Sequence, residues 1–178
     1  MRLWYIGKCS RGGTMRSMEM RIGHGYDLHR LEISKENDAI LMIGGFGVHC
    51  GLQAIAHSDG DALMHAVTDA LLSAIGEPDI GALFPDNDPK NENRDSGEFL
   101  IEAMDRVNVG GWAICNVDIT VVCDQPKIGS LREQICENLR RYIVAPVNIK
   151  GKTHEGTDRC GAIEVHVVAL LQRGNKHE

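Results

Sequence analysis

The chain has 178 residues, 43% of them hydrophobic and 25% charged, with 19 Lys and Arg against 25 Asp and Glu for a net charge of −6. A chain of this length suits one globular domain that buries about two-thirds of its unfolded surface and needs neither disulfide nor metal merely to fold. The acidic balance, with a sequence pI of about 5.7, argues against a nucleic-acid partner, which asks for a basic face. No stretch nears the roughly 20 apolar residues that span a bilayer, so no membrane partner is expected.

Residues 1–20 carry Arg2, Lys8, Arg11 and Arg16 against the single acid Glu19 and lack the apolar core of a secretory signal. They are set aside as a leader outside a domain at 21–173, with 174–178 as a C-terminal tail. Short apolar runs predict strands at 22–31 and 40–48, the second broken by Gly44-Gly45. Over 61–75, Leu63, Val67, Ala70, Leu71 and Ala74 fall on one face of a 3.6-residue period, which predicts a helix stopped by Gly76 and Pro78. A polar loop over 85–96 precedes a second amphipathic helix at 97–107.

Val117, Ile119, Val121 and Cys123 alternate with Asp118, Thr120 and Asp124, the pattern of a half-buried strand. Ser130 and Glu133 have capping-box spacing and predict a third helix ending near Tyr142. Strands at 146–150 and 162–171 close the chain. In the last, Ile163, Val165, Val167 and Ala169 share one face, and Glu164, His166, Val168 and Leu170 the other. The predicted class is α/β: a single domain with one sheet packed by three helices, built from ferredoxin-like βαβ elements. Six cysteines (Cys9, Cys50, Cys115, Cys123, Cys136 and Cys160) form no C-x-x-C pair. That spacing excludes a zinc ribbon and fits reduced thiols in a cytosol-like compartment.

Asp27 and His29 lie two apart on a strand, so their side chains point the same way and can converge on one ion. His57-Ser58-Asp59-Gly60-Asp61 leads into the first helix, with His65 one turn inside. A histidine there is commonly a core or capping residue; with Asp27 and His29 it makes a one-carboxylate, two-imidazole set with a fourth position open, as in catalytic zinc sites. Asp79-Ile80-Gly81 and Phe84-Pro85-Asp86-Asn87-Asp88 read either as turn formers or as acids that hold the hydroxyls of a polyol. Lys127, then Lys152-Thr153-His154-Glu155 with Arg159, read either as solvated surface or as a diphosphate site with a second, hard cation on Glu155.

Arg21-Ile-Gly-His-Gly-Tyr-Asp27-Leu-His29, Ile43-Gly44-Gly45, Ala56-His-Ser-Asp-Gly-Asp61, His65 to Leu72, Asp79-Ile-Gly81, Phe84 to Asp88 and Asn116-Val-Asp118 together resemble the 2-C-methyl-D-erythritol 2,4-cyclodiphosphate synthase family. The resemblance runs in order over 21–171. It implies a non-mevalonate isoprenoid enzyme that converts 4-diphosphocytidyl-2-C-methyl-D-erythritol 2-phosphate to the cyclic diphosphate and releases CMP. It places zinc on Asp27, His29 and His65, a second divalent cation (magnesium or manganese) on Glu155, and a transition-state pair on His57 and Thr153. Methylerythritol-binding segments fall on His57-Ser58, Asp79 to Gly81 and Phe84 to Asp88. The cytidine loop falls on Cys123, Asp124, Gln125, Pro126, Lys127, Ile128 and Gly129, and Arg159 falls near the diphosphate.

The resemblance further implies a homotrimer with active sites between subunits, Asp27 to Asp88 from one chain and Lys127 to Arg159 from its neighbour. One stretch departs from the family: between Glu155 and Arg159 a longer Leu-Gly-Phe-Thr-Gly segment is replaced by Gly156-Thr157-Asp158, and Cys160-Gly161 follows the arginine. A bacterial cytoplasm is the expected compartment, with a plastid stroma as the alternative. Two other readings stay open at this point, a zinc-dependent phosphohydrolase and a non-catalytic trimeric nucleotide-binding module.

Overall fold

The first strand, β1 (Met18–Ile33), alternates between half-buried and exposed side chains along its 16 residues. A computed structural model describes residues 18–35, 39–56, 58–85 and 94–174. After β1 come β2 (Ile40–Ile43), β3 (Phe46–His49), β4 (Leu52–Ala54), α1 (Ala62–Ile75), α2 (Ile80–Leu83) and α3 (Ser96–Val109). The chain continues through β5 (Ala113–Cys123), α4 (Ile128–Leu139), β6 (Val147–Lys152) and β7 (Ala162–Gly174). The main sheet has the order β4-β1-β7-β5-β6, and β2 pairs with β3 alone. All its pairs are antiparallel except β5 with β6, which α4 joins as a βαβ unit, the crossover that a parallel pair requires.

The α/β class and single domain are as expected; the count of elements is corrected. Among the described residues there are four helices, not three, and two sheets, not one. The glycines at 44 and 45 both have positive φ, so 40–48 folds back as a tight hairpin and leaves the main sheet. Helix α2 has only four residues, too short to show a period. The capping box at Ser130 does not form: the Ser130 hydroxyl donates to Lys127 O at 2.8 Å, and α4 starts at Ile128 and ends at Leu139.

Strand β1 reaches back to Met18, so the last residues of the segment set aside as a leader pair with the end of β7, Met18 opposite Gly174. Residues 1–17 and 175–178 lie outside the described residues. Glu19 ties this end down by accepting from Arg173 at 2.5 Å and pairing with Arg21 at 2.9 Å. Hydrogen bonds from Arg173 and Arg21 hold the Glu19 carboxyl below its usual range. Both guanidiniums stack on the Trp112 ring, at 4.4 and 4.7 Å from its centroid.

Helix α1 is buried almost all round, with Leu63, Met64, Val67, Leu71 and Leu72 fully covered. It is sandwiched between β1 and β7 on one side and α3 on the other, the usual reason for a helix without a polar face. Contact with β1 is backbone to backbone. A Cβ on Gly23 or Gly25 would lie 1.8 Å from the carbonyl oxygens of Ala70 and Ala66 respectively. Two strand residues, about 6.8 Å, match four helix residues, about 6 Å, so the two elements run in step. One further step along β1 brings Asp27 to the first turns of α1.

Candidate active site

Asp61 begins the site by fixing where α1 starts. Its carboxylate caps α1 by accepting from Met64 N at 2.9 Å and also accepts from Gly44 N at 2.9 Å and Gly45 N at 2.5 Å. The side chain is fully buried, and that burial pushes its carboxyl pKa up against the pull of the three N–H groups. The hairpin turn is thereby clamped to the helix N-terminus, with His65 one turn in.

His65 Nδ1 lies 3.1 Å from Asp27 Oδ2, and His29 Nε2 lies 3.7 Å from the same oxygen. The potential ligand atoms of Asp27, His29 and His65 all fall within 4.8 Å of one another. Around a tetrahedral zinc with bonds of roughly 2.0–2.1 Å, ligand atoms stand about 3.3 Å apart, a value the two observed distances bracket. His29 Nδ1 is buried with no hydrogen-bond partner. Burial lowers the pKa of His65, but for the charged, doubly protonated ring the hydrogen bond to Asp27 and the charges of Asp27, Asp61 and Asp59 outweigh it, so its pKa is raised above the ordinary value of 6.5. A half-buried oxygen and two nitrogens in a field set by carboxylates fit a divalent cation.

The triad opens into a cavity of about 280 Å³ lined also by Ile55, Ala56, Ser58, Ile80, Gly81, Phe84 and Phe99. The α2 turn delivers Ile80 and Gly81, because Asp79 caps it at Ala82 N (2.8 Å) and Asp69 accepts from Ile80 N (2.8 Å). Phe84 packs on Phe99, ring centroids 4.8 Å apart. Asp79 itself faces a neighbouring hollow with His24, Asp69 and Glu77. Pro85 is exposed; His57, Asp86, Asn87 and Asp88 lie outside the described residues.

A second cleft, of about 400 Å³, is lined by Cys123, Lys127, Ile128, Gly129, Gly151, Lys152, Thr153 and Glu155. It sits where the parallel strands β5 and β6 end beside the start of α4. The Thr153 hydroxyl donates to Glu155 Oε1, and Glu155 takes a left-handed φ of 53°. His154 turns away from the cleft and is buried: its N–H donates to Asp124 Oδ1 and its Nδ1 meets Asp124 Oδ2, both at 3.1 Å. That backbone hydrogen bond leads in holding the Asp124 carboxyl below its usual range. Pro126 is buried after a cis bond from Gln125, and Asp124 and Gln125 line a separate hollow with Leu31 and Gly161. The Arg159 guanidinium is held on Glu164, with Nη1 at 3.1 and 3.0 Å from its two oxygens. The structure thus brings Asp27, His29, Ser58, His65, Ile80, Gly81 and Phe84 together, and separately Cys123, Lys127 to Gly129, Lys152, Thr153 and Glu155. Among the described residues, none lines both clefts.

Ser96, which contacts His65, escaped the sequence reading, and Asp59 behind it was given no role of its own. Ser96 Oγ lies 2.9 Å from His65 Nε2, and Asp59 receives both the N–H and the hydroxyl of Ser96. The available signal was Asp95-Ser96, which has the form of a helix start.

A model of the YgbB family matches residues 20–172. The chain belongs to the YgbB family. Among relatives, a chloroplastic 2-C-methyl-D-erythritol 2,4-cyclodiphosphate synthase of Oryza sativa subsp. japonica is 42% identical over 163 residues, covering 88% of this chain and 72% of its own. The synthase of Rhodopirellula baltica is 46% identical over 163 residues, 88% of this chain and 95% of its own. A solved cyclodiphosphate synthase in its CDP-bound form superposes with a TM-score of 0.77 at 40% identity, covering 85% of this chain and 99% of that one. This YgbB chain therefore carries its candidate metal triad within a fold shared with a CDP-binding relative.

Proposed function

We propose that the chain is a metal-dependent cyclodiphosphate synthase. It converts 4-diphosphocytidyl-2-C-methyl-D-erythritol 2-phosphate to 2-C-methyl-D-erythritol 2,4-cyclodiphosphate and releases CMP, within isoprenoid precursor biosynthesis. The observation that carries this reading is the convergence of Asp27, His29 and His65 at a cleft mouth in a YgbB chain. In the reaction an oxygen of the 2-phosphate forms a bond to the β-phosphorus, and the bond from that phosphorus to the oxygen bridging it to the α-phosphate breaks. The bridging oxygen leaves on CMP. No strong base is needed, since the attacking phosphate is already anionic; positioning and charge neutralisation carry catalysis.

In this reading Asp27, His29 and His65 hold zinc, and Glu155 holds magnesium or manganese; bound there, such cations act as Lewis acids on phosphate oxygens. His57 and Thr153 flank the reacting phosphates. Ser58, Asp79 to Gly81 and Phe84 to Asp88 surround the methylerythritol, and Cys123 to Gly129 the cytidine. Lys152, His154 and Arg159 belong to the diphosphate end, with Arg159 released from Glu164 when substrate enters.

The same reading takes the fold as ferredoxin-like, with residues 21–173 as the functional domain. It makes the protein a homotrimer whose sites are shared between neighbours, because the two halves line different clefts of one chain. Support comes from the sheet face opposite α1. There Met18, Met20, Ile22, Tyr26 and Val168 are between 43% and 71% exposed, an apolar surface that a neighbouring chain would cover. The five described cysteines are unpaired, as suits a bacterial cytoplasm or a plastid stroma.

The deciding experiment incubates the purified chain with the cytidyl substrate and follows phosphorus by NMR. Cyclic diphosphate with equimolar CMP supports the proposal. Inorganic phosphate would make it a hydrolase, and an unchanged substrate a binding module.

A further inference from the structure

We infer that Ser96 and Asp59 act as a positioning pair that holds the His65 ring as its Nε2–H tautomer, so that Nδ1 presents a lone pair toward Asp27; this rests on the metal site proposed above. The assignment follows from counting protons. Ser96 Oγ carries one hydrogen and has two close partners, Asp59 Oδ1 and His65 Nε2, the latter at 2.9 Å. A carboxylate oxygen only accepts, so the hydroxyl hydrogen goes to Asp59. Ser96 Oγ then has only lone pairs left for the imidazole, so in the hydrogen bond between them Nε2 is the donor. The second Asp59 oxygen accepts the Ser96 backbone N–H at 3.0 Å, which keeps the carboxylate beside the hydroxyl. The serine is fully buried, which keeps water from substituting for it. Ser58 Oγ, which accepts from Gly60 N, is a longer contact to the same ring nitrogen at 3.3 Å.

With the proton on Nε2, a neutral His65 turns a bare Nδ1 toward Asp27 Oδ2 across 3.1 Å. Two acceptors at that distance repel unless a cation lies between them, so the pair prepares the ring as a ligand. Asp59 lies in the loop before α1 and Ser96 is the first residue of α3. Docking α3 on that loop therefore sets which ring nitrogen of His65 is free, a contact between elements 37 residues apart. An outer hydrogen-bond partner of this kind fixes tautomer and ring orientation and typically contributes about 10–100-fold to metal affinity.

The test uses the metal-free chain, Ser96→Ala and Asp59→Asn. Long-range nitrogen–proton NMR of labelled imidazoles under alkaline conditions reads the His65 tautomer, competition with a chromophoric chelator reads zinc(II) affinity, and urea unfolding reads stability. Wild type should show Nε2–H. Ser96→Ala should bind zinc about 10–100-fold more weakly. Asp59→Asn is isosteric and keeps an oxygen for the Ser96 N–H, but its amide can donate to Ser96 Oγ. The serine hydrogen then turns toward Nε2, and His65 should shift to Nδ1–H with a comparable loss of affinity. An Nδ1–H ring in wild type overturns the inference. So does wild-type affinity and tautomer in Asp59→Asn, even with lowered stability, since that is what a purely structural contact would do. A wild-type chain that binds no zinc while showing Nε2–H would instead count against the metal site and leave the positioning pair standing.

Discussion

Replacing Gly25 by alanine attacks the contact that sets the distance between the two halves of the candidate metal triad. A Cβ there would lie 1.8 Å from Ala66 O and 2.7 Å from Ala70 N, where carbon tolerates no approach under 3.0 Å, so β1 and α1 must part by at least about 1.2 Å. Both obstacles are backbone atoms in the middle of a buried helix, so no side-chain rotation relieves them. Overpacking in cores costs typically about 1–3 kcal/mol; a backbone collision belongs at or above the top of that range. The parting also moves Asp27, two residues on, away from His65. Metal ligand distances tolerate only about 0.2 Å, so a shift of this size should abolish tight binding. Urea unfolding of Gly25→Ala should give a midpoint lowered by at least the equivalent of about 3 kcal/mol, and dialysed protein should retain little zinc. Gly129→Ala is the control: nothing lies within 4 Å of its Cβ and it sits in the first turn of α4, so stability should hold or rise slightly. A Gly25→Ala protein with wild-type midpoint and metal content would refute the idea that backbone contact sets the triad.

Asp61→Ala strips the acceptor from three backbone N–H groups at once. At about 1–3 kcal/mol for each buried unsatisfied donor, calorimetry or urea unfolding should show a loss of at least about 3 kcal/mol, with Asp61→Asn in between. Burial pushes the Cys123 thiol up to about 11, so at pH 8 it stays protonated. Iodoacetamide should then modify exposed Cys160 well before Cys123, and Cys123 labelling should climb about tenfold per pH unit below 11; early labelling at Cys123, read by mass spectrometry, would contradict this. His57→Ala and Thr153→Ala, each inactive alone, should regain activity when co-assembled, with about a quarter of sites intact in random mixed trimers. Mixed trimers as dead as their parents would place each site within one chain.

Much of the local structure was legible from spacing alone. The 3.6-residue period of Leu63, Val67, Ala70, Leu71 and Ala74 located α1 to within a residue, because a helix buried along that stripe must repeat it. The alternation at 117–123 and 163–169 located the two central strands for the same reason with a period of two. Asp27 and His29, two apart on a strand, were bound to share a face.

Tertiary structure decided what spacing does not encode. Gly44 and Gly45 mark a turn in any reading, but only the clamp from Asp61 shows the hairpin leaving the main sheet for the head of α1. Ser130 and Glu133 had capping spacing, yet the Ser130 hydroxyl turned to Lys127 O and the helix began earlier. Arg159, which the family resemblance places near the diphosphate, is held on Glu164. Gly23 and Gly25 fall within the strand predicted at 22–31, and only packing brings the Ala70 and Ala66 carbonyls within reach of a would-be Cβ. Ser96 and Asp59 stand 37 residues apart, and no periodicity links them. Local patterns report which side of an element is buried; which two buried sides meet, and where protons go between them, is settled only when the elements pack.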